Sequence, residues 1–426
     1  MRSRKRTTRP GLLLRRAFEA WALLALVACT TEPTPAPRLA IGELASPAGE
    51  GSGQPHLAVG PDDRLVMSWL EPNADASEYA LKYATLDPAT AQWGPPFTVA
   101  RGPNWFVNSS DLPSVQPLSA DLWAAHWLVS SATSQFAYDI EVATSVDGGR
   151  SWGEPQLLND DRTDAEHGFV SLFAWGAAIG AVWLDGRDLA NFHEQEPTAP
   201  EIETAPVGTN LRYARLAADG GIIDQGVIDS LACDCCPTDV AVTERGPLVA
   251  YRDRTPEEIR DIVVRRHDGS KWTEGVRVGP DNWQIEGCPV NGPAIAARGD
   301  DIAVAWFTAA ADQPRVRLAR SSDGGANFQA PTDVDSTGSF GQVDVLLTDD
   351  GDAIVSWWRR SASGGTQLSA RRIDASGALG DIQIIASSHS SRPFDIPQMV
   401  RSGNLIVFAW TESADQSMVR TATAEL

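Results

Sequence analysis

What the chain lacks narrows its class first. It has no apolar stretch long enough to cross a membrane: the leader run at residues 21–28 falls well short of the roughly 20 residues a span requires. No segment of useful length repeats its apolar residues at helical spacing, which argues against a helical bundle. Tyrosine is scarce, five against fifteen tryptophans, and beyond residue 28 so is positive charge. Residues 1–28 carry seven basic side chains against one acid, and taking that net +6 out of the formal −21 leaves −27 on the remainder. So acidic a body repels phosphate backbones and anionic headgroups, which excludes nucleic acid as a partner. The cysteine spacing matches no standard zinc motif, and the acid-rich stretch 188–210 lacks EF-hand spacing. With 42% hydrophobic and 21% charged residues, the rest is ordinary globular composition.

The N-terminus reads as an address. Basic residues up to Arg16 precede the short apolar run and then Cys29. Leu26-Val27-Ala28-Cys29 resembles the bacterial lipobox, which implies a signal peptide at 1–28 and a diacylated Cys29. Residues 29–37 are Pro/Thr-rich and cannot build a core, so they read as an extended tether. The expected location is the cell envelope, lipid-anchored at the outer membrane or cell surface of a diderm.

Residues 38–426 repeat one pattern, a β-branched hydrophobic run closed by an aromatic. The closing residues are Trp69, Trp127, Trp183, Tyr251, Trp306, Trp357 and Trp410, spaced 51 to 68 residues apart. A short strand-like segment precedes each run and an alternating one follows, usually with a fourth. Four strands per repeat is the signature of a propeller blade. The fold class is therefore all-β, a propeller of seven four-stranded blades, with six as the alternative. The last repeat ends after its third strand, and residues 39–44 are expected to supply the fourth beside residues 418–424.

Two turns carry a sharper motif, Ser145-Val146-Asp147-Gly148-Gly149-Arg150-Ser151-Trp152 and Ser321-Ser322-Asp323-Gly324-Gly325-Ala326-Asn327-Phe328. Asp accepts backbone N–H groups in such a hairpin, Gly takes positive φ, and the aromatic plugs the gap between strands. His267 to Trp272 and Asp87 to Trp93 look like eroded copies. The motif is similar to the Asp box (BNR repeat) of the sialidase-like propellers, and the repeat pattern extends the resemblance over the mature chain. In that family Asp boxes are structural and the usual blade count is six. The resemblance also implies an early Arg-Ile-Pro, three arginines clamping a carboxylate, a Tyr/Glu pair and an acid/base Asp. Arg-Ile-Pro is absent here.

The loops leading into first strands and those joining second to third strands share one face. Candidate catalytic residues there are Arg187, Arg252, Arg359, Asp185, Asp253 and Glu71; the arginines either converge on a carboxylate or pair with these acids. Residues 188–210 add His193, Glu194, Glu196, Glu201 and Glu203, as a solvated loop or lid. Cys233, Cys235, Cys236 and Cys288 fall in equivalent places of adjacent repeats. Two disulfides are the first reading, with Cys288 bridging to one of the other three. The alternative is a thiolate site for Cu(I) or Zn(II), helped by His167. The functional expectation is a monomeric envelope lipoprotein whose propeller binds a glycan or a protein. A sialidase-type glycoside hydrolase is the second reading, and a metal or redox-linked protein built on the cysteines is the third.

Overall fold

Runs such as 65–70 and 178–185 are hydrophobic on both sides, so each must be covered on both faces, and stacking sheets around a ring achieves this. The computed structural model describes residues 38–132, 134, 136–194, 207–393, 395–413 and 416–426. The expected signal peptide, Cys29 and the tether lie outside them. No helix among the described residues is long and apolar enough to cross a membrane.

Seven antiparallel sheets form the ring. Their innermost strands are, in chain order, Gly53–Val59, Ser114–Pro117, His167–Trp175, Asp239–Thr243, Ala294–Arg298, Ser339–Leu347 and Gln398–Ser402. Each expected aromatic lies on the second strand of its blade. The first blade has a fifth strand, because Gln92–Trp93 and Phe97–Gly102 both pair with Tyr79–Asp87. Gly53–Val59 packs against the innermost strands of both the second and the seventh blade, which closes the circle. Ala40–Leu44 completes the seventh blade beside Ser417–Glu425, with Ile41 opposite Ala424 and Leu44 opposite Thr421. N- and C-terminal chain thus share one sheet, and its outer edge is covered as expected.

The apolar interior is divided rather than central. Seven clusters of buried side chains each span two neighbouring blades, as where Leu65, Met67 and Trp69 meet Val407 and Val419. Six of the seven aromatics are fully buried, while Trp410 is half-exposed. A buried ring N–H or O–H needs a partner, and each of the six has a carboxylate. Trp69 donates to Glu71 at 3.1 Å, Trp127 to Glu141 at 2.8 Å and Trp183 to Asp185 at 2.9 Å. Tyr251 donates to Asp229 at 2.6 Å, Trp306 to Asp281 at 2.7 Å and Trp357 to Asp335 at 2.9 Å.

The Asp boxes form as their chemistry dictates. Asp147 accepts Ser151 N–H at 2.9 Å, and Asp323 accepts Asn327 N–H at 2.9 Å. Gly149 and Gly325 sit at φ 85° and 86°, where a side chain would be strained and would also meet Trp123 or Leu248. Asp87 and Asp268 cap their turns likewise, and so do Asp219 and Asp374, whose turns have no aromatic to betray them. All lie on the face opposite the cysteine loops. One correction concerns residues 188–210, expected as a loop. They begin inside a short helix, Arg187–Glu194, whose first turn is held by the Asp185 carboxylate accepting Arg187 N–H at 3.2 Å.

If the rings hold the blades together, Trp306→Ala should cost roughly 3–5 kcal/mol of unfolding free energy. Trp306→Phe, which keeps the apolar body and loses the N–H, should cost about 1 kcal/mol. Urea midpoints for the two variants check this; equal losses would contradict it.

Candidate functional site

The candidate arginines are consumed by the scaffold. Arg187 grips Asp185 through Nε at 2.7 Å and Nη2 at 2.8 Å, and reaches Asp160 at 2.9 Å. Arg252 is buried and donates to the carbonyls of Asn291, Arg260 and Phe307 at 2.7 to 2.9 Å, with its guanidinium over the Trp283 ring. Arg359 donates to the Thr337 hydroxyl at 2.9 Å and lies 3.5 Å from Asp335. They belong to the third, fourth and sixth blades, each with its own partners, so no carboxylate clamp is assembled. Glu71 accepts from Lys82 at 2.5 Å as well as from Trp69, rather than pairing with Arg359. Asp253 does not pair with Arg252; burial, then the charge of Asp229, pushes its carboxyl up to about 7.

His167 joins acids rather than cysteines. Its Nε2 lies 3.2 Å from Asp161 and 3.7 Å from Asp185, and its Nδ1 lies 3.0 Å from the Tyr138 carbonyl oxygen. Burial acts to lower its pKa, but the Asp161 hydrogen bond and the charges of Asp185 and Asp161 outweigh it and raise the value. Asp161, Asp185 and His167 could hold a cation only in competition with Arg187, which already neutralises this cluster. His167 is therefore no fourth donor for a thiolate site.

At the cysteine loops, Cys235 and Cys288 form a disulfide with Cα atoms 6.0 Å apart, inside the reach expected for Cys288. The expected second bridge is not formed. Cys233 and Cys236 are buried free thiols with sulfurs 3.3 Å apart.

The repeat pattern places a ligand at the mouth of the central channel with His56 at a first-strand entry, and a concave feature does lie on the propeller axis, though its acids were not marked in the sequence. A cavity of about 320 Å³ is lined by the innermost strands of all seven blades, among them His56, Asp111, Ser171, Asp239, Asp344 and Gln398. Among the described residues no lysine or arginine lines it. Asp239 accepts Ile295 N–H at 2.7 Å and Asp344 accepts Met399 N–H at 2.6 Å, each tying one blade to the next. Asp111 does the same for Phe169 N–H at 2.8 Å through one oxygen only. Its other oxygen and His56 Nδ1 have no partner among the described residues. Burial pushes His56 down to about 4, so its ring is neutral at pH 7. Burial, helped by the charge of Glu166, pushes Asp111 up to about 7, and Asp239 rises to about 6 by burial. Glu166, at the loop beside Tyr138, is itself pushed up to about 7 by burial and then by Asp234. Perturbed acids in a concave site are the default marker of function. The sequence signal for Asp111, an Asp-Leu-Pro leading into the second repeat, is repeated as Asp395-Ile396-Pro397 at the seventh.

These raised values set a pH dependence. A carboxyl that stays protonated in the fold while the unfolded chain ionises lends stability that is complete below its ordinary value of 3.8 and is lost as pH rises towards about 7. Asp111→Asn stays neutral and can still accept Phe169 N–H, so it should lessen the fall in Tm between about pH 5 and about pH 7. Parallel melting curves of the two proteins check this; an unchanged slope would contradict it.

No family model matches the chain, and no curated protein matches it. Solved structures do resemble it. A protein of unknown function from Dyadobacter fermentans is 13% identical, covering 91% of this chain and 97% of that one, with a TM-score of 0.47. An α-L-arabinofuranosidase from Fusarium graminearum is 12% identical over 91% and 97%, with a TM-score of 0.49. The NanB sialidase of Streptococcus pneumoniae is 11% identical over 90% and 70%, with a TM-score of 0.44. The blade count and the Asp-box turns rest on this chain's own ladders and hydrogen bonds, and by those the chain is a seven-bladed β-propeller with Asp-box turns.

Proposed function

We propose that the propeller is a binding module that takes the hydroxyl-rich end of a neutral glycan into its channel mouth without hydrolysing it. One observation carries the reading. The axial cavity is lined by His56 and by the carboxyl-bearing Asp111, Asp239 and Asp344, with no lysine or arginine among the described residues. Hydroxyl groups both donate and accept, so they satisfy a neutral imidazole and a carboxyl titrating near neutrality, whereas an anionic sugar would find no positive partner. A volume of about 320 Å³ is at the small end of ligand sites and suits one or two sugar rings rather than a protein surface. The basic leader and Cys29 support display of this module on the envelope through a lipid anchor.

Glycoside hydrolysis is the second reading, favoured by Asp111 and Glu166. Both have pKa values near 7, suited to general acid work, and both carry charge that bears on Tyr138. Burial and those two acids raise the Tyr138 hydroxyl, which makes it a poor nucleophile.

Calorimetric titration with a panel of neutral and sialylated oligosaccharides, followed by product analysis, separates the readings. The expected result is binding of a neutral glycan, weakened at least about tenfold in His56→Ala, the loss of one good hydrogen bond to a buried group, and no released sugar. Sugar release would promote the hydrolase. Binding untouched by His56→Ala would remove the channel from the account.

A further inference from the structure

The four cysteines are arranged in depth. Cys288 is exposed, Cys235 half-buried, and Cys233 and Cys236 fully buried. The sulfurs of Cys233, Cys235 and Cys236 lie within 4.8 Å of one another, so the buried thiol pair sits directly behind the surface disulfide. The pair is also electrically asymmetric. Arg260 Nη1 donates to Cys233 Sγ at 3.2 Å, and Arg260 is itself positioned by Glu258 at 2.9 Å. Hydrogen bonding from Cys236, then the charges of Arg252 and Arg260, lower the Cys233 thiol, while burial raises Cys236. A guanidinium on a buried sulfur favours thiolate, the nucleophilic form. Two static staples would need no such cation, and a four-sulfur metal site would need the surface bridge to be open.

We propose that Cys233, Cys236 and the Cys235–Cys288 bridge form one thiol–disulfide exchange site, in which a single oxidised bond moves between the surface pair and the buried pair. The Cys233 thiolate attacks Cys235 Sγ; the Cys235–Cys288 bond breaks, and its electron pair leaves on Cys288, which takes up a proton. Cys236 gives up its proton and attacks Cys233 Sγ, and Cys235 departs as thiolate and is protonated. The protons of Cys233 and Cys236 have then moved to Cys235 and Cys288, one disulfide has replaced another, and no external oxidant is used. The product carries an accessible dithiol at the cysteine loops. Its substrate class is an external disulfide: Cys288 thiolate attacks it, Cys235 resolves the mixed disulfide, and the substrate leaves as two thiols; the surface bridge reforms beside the Cys233–Cys236 bond, so all four sulfurs are then oxidised and an external dithiol reduces Cys233–Cys236 before the next turnover.

Time-resolved alkylation of the native, unreduced full chain with iodoacetamide tests this, with each label placed by peptide mass mapping so that Cys29 is scored separately. Exchange predicts that label accumulates on Cys288 although the resting bridge holds it, with Cys233 recovered in a bond to Cys235 or Cys236. In Cys233→Ser, labelling of Cys288 should fall at least about tenfold, because the attacking thiolate is gone. Cys236→Ser should instead trap a Cys233–Cys235 bond, which gives an independent readout if the first variant does not fold. A wild-type Cys288 that never acquires label would overturn the proposal. So would equal labelling in Cys233→Ser, or stoichiometric zinc or copper on the purified chain.

Discussion

In six blades a fully buried ring on the second strand passes its one polar hydrogen to a carboxylate, and much else in the structure follows from satisfying it. The second strand is covered on both sides by neighbouring sheets, so a ring N–H there has no water to turn to, although Trp123, at the start of the second blade's second strand, has no partner among the described residues. The carboxylates are in turn anchored by bases: Glu71 by Lys82, Asp185 by Arg187, Asp229 by Arg265 and Asp281 by Arg317. For the fourth, fifth and sixth blades the acid stands 22 to 25 residues upstream, at the end of the preceding blade, so the hydrogen bond also fixes the angle between sheets. These acids and bases are therefore scaffold.

That division explains what could be read in advance. The seven repeats were visible because a doubly covered strand is written as an unbroken hydrophobic run ending in a large ring. Closure by residues 39–44 followed from counting strands. Of the expected acid partners of the arginines, Asp185 does pair with Arg187, and the other two pairs are not made for a geometric reason. Arg252 and Asp253 are adjacent in sequence, but neighbours along extended chain point to opposite faces, and Arg252 turned inward to three carbonyls. Arg359 and Glu71 come from the sixth and first blades and each met a nearer partner. Asp111 and Glu166 were missed because what marks them is burial, which one sequence does not display. For the cysteines, sequence left three partners open for Cys288. Burial of Cys233 and Cys236 left Cys235 as the one facing outward.

What is not scaffold lies on the axis. Each innermost strand must bind its neighbour, and Asp111, Asp239 and Asp344 do this by accepting an N–H from the next blade. Holding such carboxyls in a cation-free cavity costs stability at neutral pH, a cost of the kind that functional sites carry. Phe169, whose N–H donates to Asp111, sits at φ 56°, beside Gly168, where a Cβ would collide with that same carboxyl. The strain and the unpaired oxygen coincide at this one contact between the second and third blades.

Hydrogen exchange read by mass spectrometry, with and without a bound neutral oligosaccharide, tests this account most directly. Protection confined to the starts of the innermost strands, around residues 54–58, 110–116, 168–172 and 396–400, is the predicted result. Protection at the Asp-box turns or the outer edges of the blades, with the channel unchanged, would contradict it.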